Sequence, residues 1–158
     1  MGIVGLVLFV IGAGLVLVGL GVVARWDVAG AADALLVAPR VRTLFQEVLS
    51  CEGRVSGPEF IATGRDVERD LLALERRVLD RRLRRHIHLV MQDVVAVATD
   101  VPAAWAATPI KDLYRRSAGA DRARAALLCD EADRGMRAVG DLEARAVFLA
   151  RLGKMVGR

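Results

Sequence analysis

No charged or strongly polar side chain occurs before Arg25. About 22 residues at a helical rise of 1.5 Å cover roughly 33 Å, enough to cross the hydrocarbon core of a bilayer. A lone segment in lipid must satisfy its own backbone, and only a helix does so. The stretch 1–25 is therefore predicted to be a transmembrane helix, with Arg25 and Trp26 at the level of the headgroups.

Three other readings compete for this stretch. A cleaved signal peptide has a basic start and a shorter apolar core. Here no Lys or Arg precedes the apolar run, although Ala29-Gly30-Ala31 supplies an Ala-x-Ala and leaves cleavage open. Gly12-Ala13-Gly14 resembles the opening of a dinucleotide loop, but Leu17 stands where the third glycine belongs. Met1-Gly2 invites myristoylation, which the Leu6 in place of Ser or Thr argues against.

Arg25, Arg40 and Arg42 follow the span, and nothing basic except the terminal amine precedes it. The positive-inside rule then predicts an outside N-terminus and a cytoplasmic C-terminal domain. Asn is absent, and the only lysines are Lys111 and Lys154. That bias fits a GC-rich genome and leads us to expect a bacterial inner membrane.

Glycines divide the span into two faces. Gly5, Gly12 and Gly19 are spaced by seven, as are Gly14 and Gly21 on the nearly opposite face. Small residues let helices approach closely in lipid. The pattern predicts a neighbour on each side and hence an oligomer or a larger assembly.

The remainder reads as all-α, an antiparallel helical bundle with a long coiled-coil-like C-terminal helix. Aromatics are only 4% of the chain, so the core must come from Leu, Val and Ala. The expected divisions are a transmembrane helix over 1–25, a juxtamembrane helical segment over 26–56 and a bundle domain over 57–158. Within 26–56 a helix is expected to break at Pro39. Val41, Leu44, Phe45, Val48 and Leu49 then keep a 3–4 spacing before Gly53. Ser56-Gly57-Pro58-Glu59 fits a capping box, opening a helix that continues to about Ala98 with an interruption near Gly64.

One stripe on that long helix runs through Leu72, Leu79, Leu83, Ile87, Val90, Val94 and Val97. A weaker one holds Leu71, Leu74, Val78 and Leu89. After Pro102, Thr108-Pro109 opens a short helix to about Arg116, and Gly119 precedes the last helix, Asp121 to Met155. Ala125, Leu128, Ala132, Gly135, Val139, Leu142, Ala146 and Leu149 form a heptad seam there. Asp130–Arg134, Asp133–Arg137 and Asp141–Arg145 are expected as i,i+4 pairs on its solvated face.

Chemistry-bearing motifs are few. Arg76, Arg77, Arg81, Arg82, Arg84 and Arg85 are opposed locally only by Asp80, which gives this stretch +5 in a chain whose net charge is +4. The patch is either a solvated helix face or a surface for anionic lipid headgroups or an acidic partner. Nucleic acid is disfavoured, because no aromatic residues interleave the arginines. His86 and His88, two apart on a helix, point in nearly opposite directions and do not form a metal pair. Cys51 and Cys129 lack a pairing signature and read as reduced thiols. Ser50-Cys51-Glu52 has no identifiable base beside it, and Asp93 with Asp100 suits a polar seam.

Neither a catalytic motif nor a cofactor or metal site is recognised. The expected function is non-catalytic: a single-pass tether or scaffold whose partners are the bilayer and either itself or other membrane proteins. An accessory subunit of a membrane complex is one alternative. A membrane-anchored regulator binding an acidic partner, anionic lipid or nucleic acid is another.

Overall fold

The computed structural model describes residues 3–50, 57–100 and 119–156. Within these it describes the side chains of 11–16, 21, 27–49, 58–99, 119, 123 and 126–155. They form four helices: α1 (Ile3–Ser50), α2 (Gly57–Arg77), α3 (Arg81–Asp100) and α4 (Ala120–Val156). Several expectations concern residues outside the described set. They are the capping role of Ser56, the thiol of Cys51, Pro102, the helix opened by Thr108-Pro109, and the side chains of Arg25, Trp26, Asp100 and Ala125. The faces of Gly5 and Gly19 also fall outside it.

The C-terminal half of α1 packs with α2, α3 and α4 as an antiparallel bundle. Close approaches fix the register. Asp27 at the upper end of this half of α1 meets the α2–α3 corner at Leu79 and Asp80. At the opposite end of those two helices, Gly64 lies against Ala98. Helix α4 runs back up beside α1, with Gly135 against Phe45 and Gly153 against Val28. The chain thus runs down, up, down and up, as four-helix bundles with antiparallel neighbours do.

One core serves all four helices. Ala31, Ala34, Ala38, Val41, Phe45 and Val48 of α1 are fully buried, so this part of the chain is an integral wall of the bundle. On α4 the predicted seam faces inward: Leu128, Ala132, Val139, Leu142, Ala146 and Leu149 are buried, and so is Gly135. Its alanines and glycine bring the backbone of α4 close to the large ring of Phe45. Burying each Leu or Phe contributes about 1.5–3 kcal/mol.

Two expectations about helix boundaries require correction. Helix α1 does not break at Pro39 but passes through it. The ring lies on the exposed side, and Thr43 Oγ1 donates to the Pro39 carbonyl at 3.0 Å. A proline inside a helix costs about 3 kcal/mol. Ala38 and Val41, fully buried on either side of it, supply the packing that keeps the helix in register.

The second correction concerns the long helix expected over residues 57–98. It folds back at Val78, Leu79 and Asp80 and not near Gly64, which lies inside α2. The apolar stripes divide accordingly. Leu71, Leu74 and Val78 bury the inner face of α2, and Leu83, Ile87, Val90, Val94 and Val97 that of α3. Leu72 and Leu79, aligned with the α3 set only in one continuous helix, are partly exposed, and so is Leu89.

Among the described residues no helix is long and apolar enough to cross a membrane. The segment expected to do so, 1–25, contains residues 1–10, 17–20 and 22–25, whose side chains are outside the described set.

Glycine placement gives a paired prediction. A Cβ at Gly135 would overlap the Phe45 ring, which is fully buried and cannot swing away. One at Gly140, exposed on the same helix, would meet nothing within 4 Å. In thermal unfolding of the full chain in mild detergent, Gly135→Ala is expected to destabilise by about 1–3 kcal/mol. Gly140→Ala is expected to stabilise by about 0.5–1 kcal/mol.

Candidate functional site

The α2–α3 connection is only three residues long and contains neither Gly nor Pro. Side chains from α1, from the connection itself and from α3 satisfy its free backbone groups. Asp27 Oδ1 of α1 accepts from the backbone N–H groups of Leu79, at 3.1 Å, and Asp80, at 2.8 Å. Asp80 caps α3: its Oδ1 accepts from the Leu83 N–H at 2.7 Å, three residues on, as an N-cap aspartate does. Arg84 folds back to donate from Nε to the Val78 carbonyl at 3.1 Å, closing the end of α2.

Helix α4 completes the cluster. Arg145 Nη2 donates to Asp80 Oδ2 at 2.6 Å and Nε to Oδ1 at 3.1 Å, a two-pronged guanidinium–carboxylate pair. Both side chains are four-fifths or more buried. The Arg145 guanidinium also lies 5.0 Å from the centre of the Phe148 ring, within cation–π range. The Arg145 hydrogen bond holds the Asp80 carboxyl below its ordinary value, and the Leu83 N–H adds to the effect against the opposing pull of burial. Asp80 in turn holds the proton on Arg145 more firmly.

The six arginines of the basic patch surround this corner and play different parts. Arg77 Nε donates to the Ala73 carbonyl, and its guanidinium lies 3.4 Å from Asp33. Arg84 serves the neutral Val78 carbonyl and has no ion pair among the described residues. Arg76, Arg81, Arg82 and Arg85 are exposed, with no ion pair among the described residues.

Elsewhere the polar groups join helices. Arg134 Nε reaches Asp93 at 2.7 Å, linking α4 to α3, and that hydrogen bond raises the arginine's pKa. Arg134 therefore binds a carboxylate on α3 and Arg145 the one that caps it, and of the three i,i+4 pairs expected on α4 only Asp133–Arg137 is seen, at 2.9 Å. Arg40–Asp70 and Arg42–Glu143 fix α1 to its two neighbours. His88 sits between Glu75, 3.1 Å from Nδ1, and Gln92, 3.0 Å from Nε2. Among the described residues no group of three His, Cys, Asp or Glu side chains could hold a metal ion. A shallow hollow of about 420 Å³ beside Asp93 and Arg134 is lined largely by Leu89, Ala96 and Ala138.

A Cβ added at Gly12, Gly14 or Gly21 would meet nothing within 4 Å beyond the adjoining helix backbone. Among the described glycines, an added Cβ would meet a neighbour at Gly30, Gly64, Gly135 and Gly153, all in the bundle. Comparison of the chain with protein-family models, with curated proteins and with solved structures gives no match.

Sequence reasoning missed Asp27 and the Asp80–Arg145 pair as the centre of this site. The available signal was Asp80 itself, a preferred N-cap residue inside an apparently continuous helix. Asp80→Ala removes both the cap and the partner of a largely buried arginine, and is expected to cost about 2–4 kcal/mol. Asp80→Asn keeps a capping oxygen and is expected to cost about half as much. Because the folded-state pKa of Asp80 is depressed, its contribution is complete above the ordinary aspartate value of 3.8 and is lost as pH falls through the lower folded value. The gap in melting temperature between wild type and Asp80→Asn, measured from about pH 6 downwards, is expected to close below about pH 4.

Proposed function

We propose that this chain is a non-catalytic single-pass membrane protein of a bacterial inner membrane, with a cytoplasmic helical bundle that tethers or scaffolds an assembly. The observation that carries the reading is the contrast between the two halves of α1. Below Asp27 the helix is a buried wall of the bundle. Above it, every residue with a described side chain from 11 to 16, and Gly21, is exposed. Ile11, Leu15 and Val16 are more than half exposed in a stretch without any charge.

Apolar surface left in water costs about 25 cal/mol per Å², and a helix without tertiary contacts gains little from its own hydrogen bonds in water. A bilayer removes both penalties. The bundle's most buried polar pairs are engaged in capping and joining helices, which supports a structural role for them.

Gly12 and Gly14 leave two open faces on this half of α1. They support assembly through helix contacts in lipid. They also favour a second reading, in which the span fills a slot between other helices of a membrane complex.

Alkaline extraction of native membranes tests the anchor. The chain is expected to stay with the lipid, and release into the supernatant contradicts the reading. Crosslinking then tests assembly. Gly12→Leu combined with Gly14→Leu is expected to abolish most self-crosslinked species. An unchanged size distribution argues against the scaffold, and loss of crosslinks to other proteins alone favours the accessory subunit.

A further inference from the structure

We propose that the cationic α2–α3 corner is a binding surface for anionic phospholipid headgroups, gathered around the base of the apolar half of α1. The proposal rests on the membrane reading of that half. Its first support is placement. Ala24, the last residue of the uncharged stretch, lies three residues before Asp27, about 4.5 Å along the helix axis. Asp27 is hydrogen-bonded directly to the corner at Leu79 and Asp80. The fold therefore brings a patch some fifty residues downstream to the level at which the uncharged stretch leaves the bundle. Helix α4 ends there too, since Gly153 packs on Val28, and its exposed Arg151 and Lys154 add to the same end.

The second support is electrostatic. Arg76 and Arg77 close the C-terminal turn of α2, where a cation favours the helix dipole and explains itself. The other four arginines occupy the first five residues of α3, which has no acidic residue in its first turn. Cations at that end oppose the dipole and repel one another. Asp80 caps the helix, but its carboxylate is already held by Arg145. Folding thus gives no reason for Arg81, Arg82 and Arg85 to be there, exposed and without an ion pair among the described residues. A negatively charged surface facing this end of the bundle supplies one, because an arginine close to an anionic leaflet is attracted by about 1 kcal/mol.

The test uses the full chain in mixed micelles of mild detergent with phosphatidylcholine and phosphatidylglycerol at a nine-to-one ratio. Lipid retained through size-exclusion chromatography is quantified by mass spectrometry. Wild type is expected to enrich phosphatidylglycerol about fivefold over the bulk ratio, the equivalent of one such arginine. Arg81→Gln, Arg82→Gln and Arg85→Gln together are expected to bring the enrichment close to one. A control with the same charge change, Arg65→Gln, Arg69→Gln and Arg137→Gln, alters exposed arginines away from the corner and is expected to keep it.

Equal loss in the control would mean net charge alone is at work and would overturn the proposal. Wild type without enrichment would also overturn it. Alkaline extraction reads the span independently of these variants. A chain retained by membranes without lipid preference refutes only the collar, whereas a released chain refutes the anchor on which it rests.

Discussion

The Asp80 carboxylate is where the fold of this protein is decided. Residues 57–100 contain no glycine or proline at the point where the chain must reverse, and their helical propensity alone favours one long rod. Reversal becomes stable because Asp80 caps α3, Asp27 holds the two backbone N–H groups at the corner, and Arg84 closes α2. Arg145 then ties that corner to α4. Each hydrogen bond is modest, about 1 kcal/mol net and more where charge assists. Their effect is topological, since they turn two helices into antiparallel neighbours and close a four-helix core.

That corner also links the bundle to the remainder of α1. A helix running unbroken from Ile3 to Ser50 is about 72 Å long. Among the described residues, only those of its lower half join the core. With Asp27 bound to the corner and Gly153 seated on Val28, the bundle ends where the uncharged stretch begins. A continuous helix transmits orientation more faithfully than a flexible linker would, which suits the tether proposed above.

Much of the fold was legible in the sequence. The α4 seam was clear because a heptad of Leu, Val, Ala and Gly has one reading at helical period. The inner face of α1 from Val41 to Val48 was clear for the same reason. The α2–α3 reversal was not, because beside the local cap at Asp80 it depends on hydrogen bonds from residues about fifty and sixty-five positions away. Assuming one continuous helix then put Leu72 and Leu79 on the wrong face. Pro39 misled in the opposite sense, as buried neighbours outweighed a local preference to break. On α4, Arg134 and Arg145 had acceptable local acids but took largely buried carboxylates across the bundle. As for the candidate site, the arginine cluster was obvious in the sequence, whereas its level relative to α1 existed only in three dimensions.

Leu15 and Leu36 give the most direct test of the account. Both are exposed to a similar degree, 69% and 74%, so the protein itself shields neither. Single-cysteine variants at these positions, with Cys51 and Cys129 replaced by serine, can be treated in sealed membrane vesicles with their cytoplasmic face outward, using a water-soluble maleimide. Leu36→Cys is expected to react readily, and Leu15→Cys to react only after the bilayer is dissolved in a denaturing detergent. Equal reaction of the two in intact vesicles would contradict a bundle suspended from a membrane-spanning half of α1.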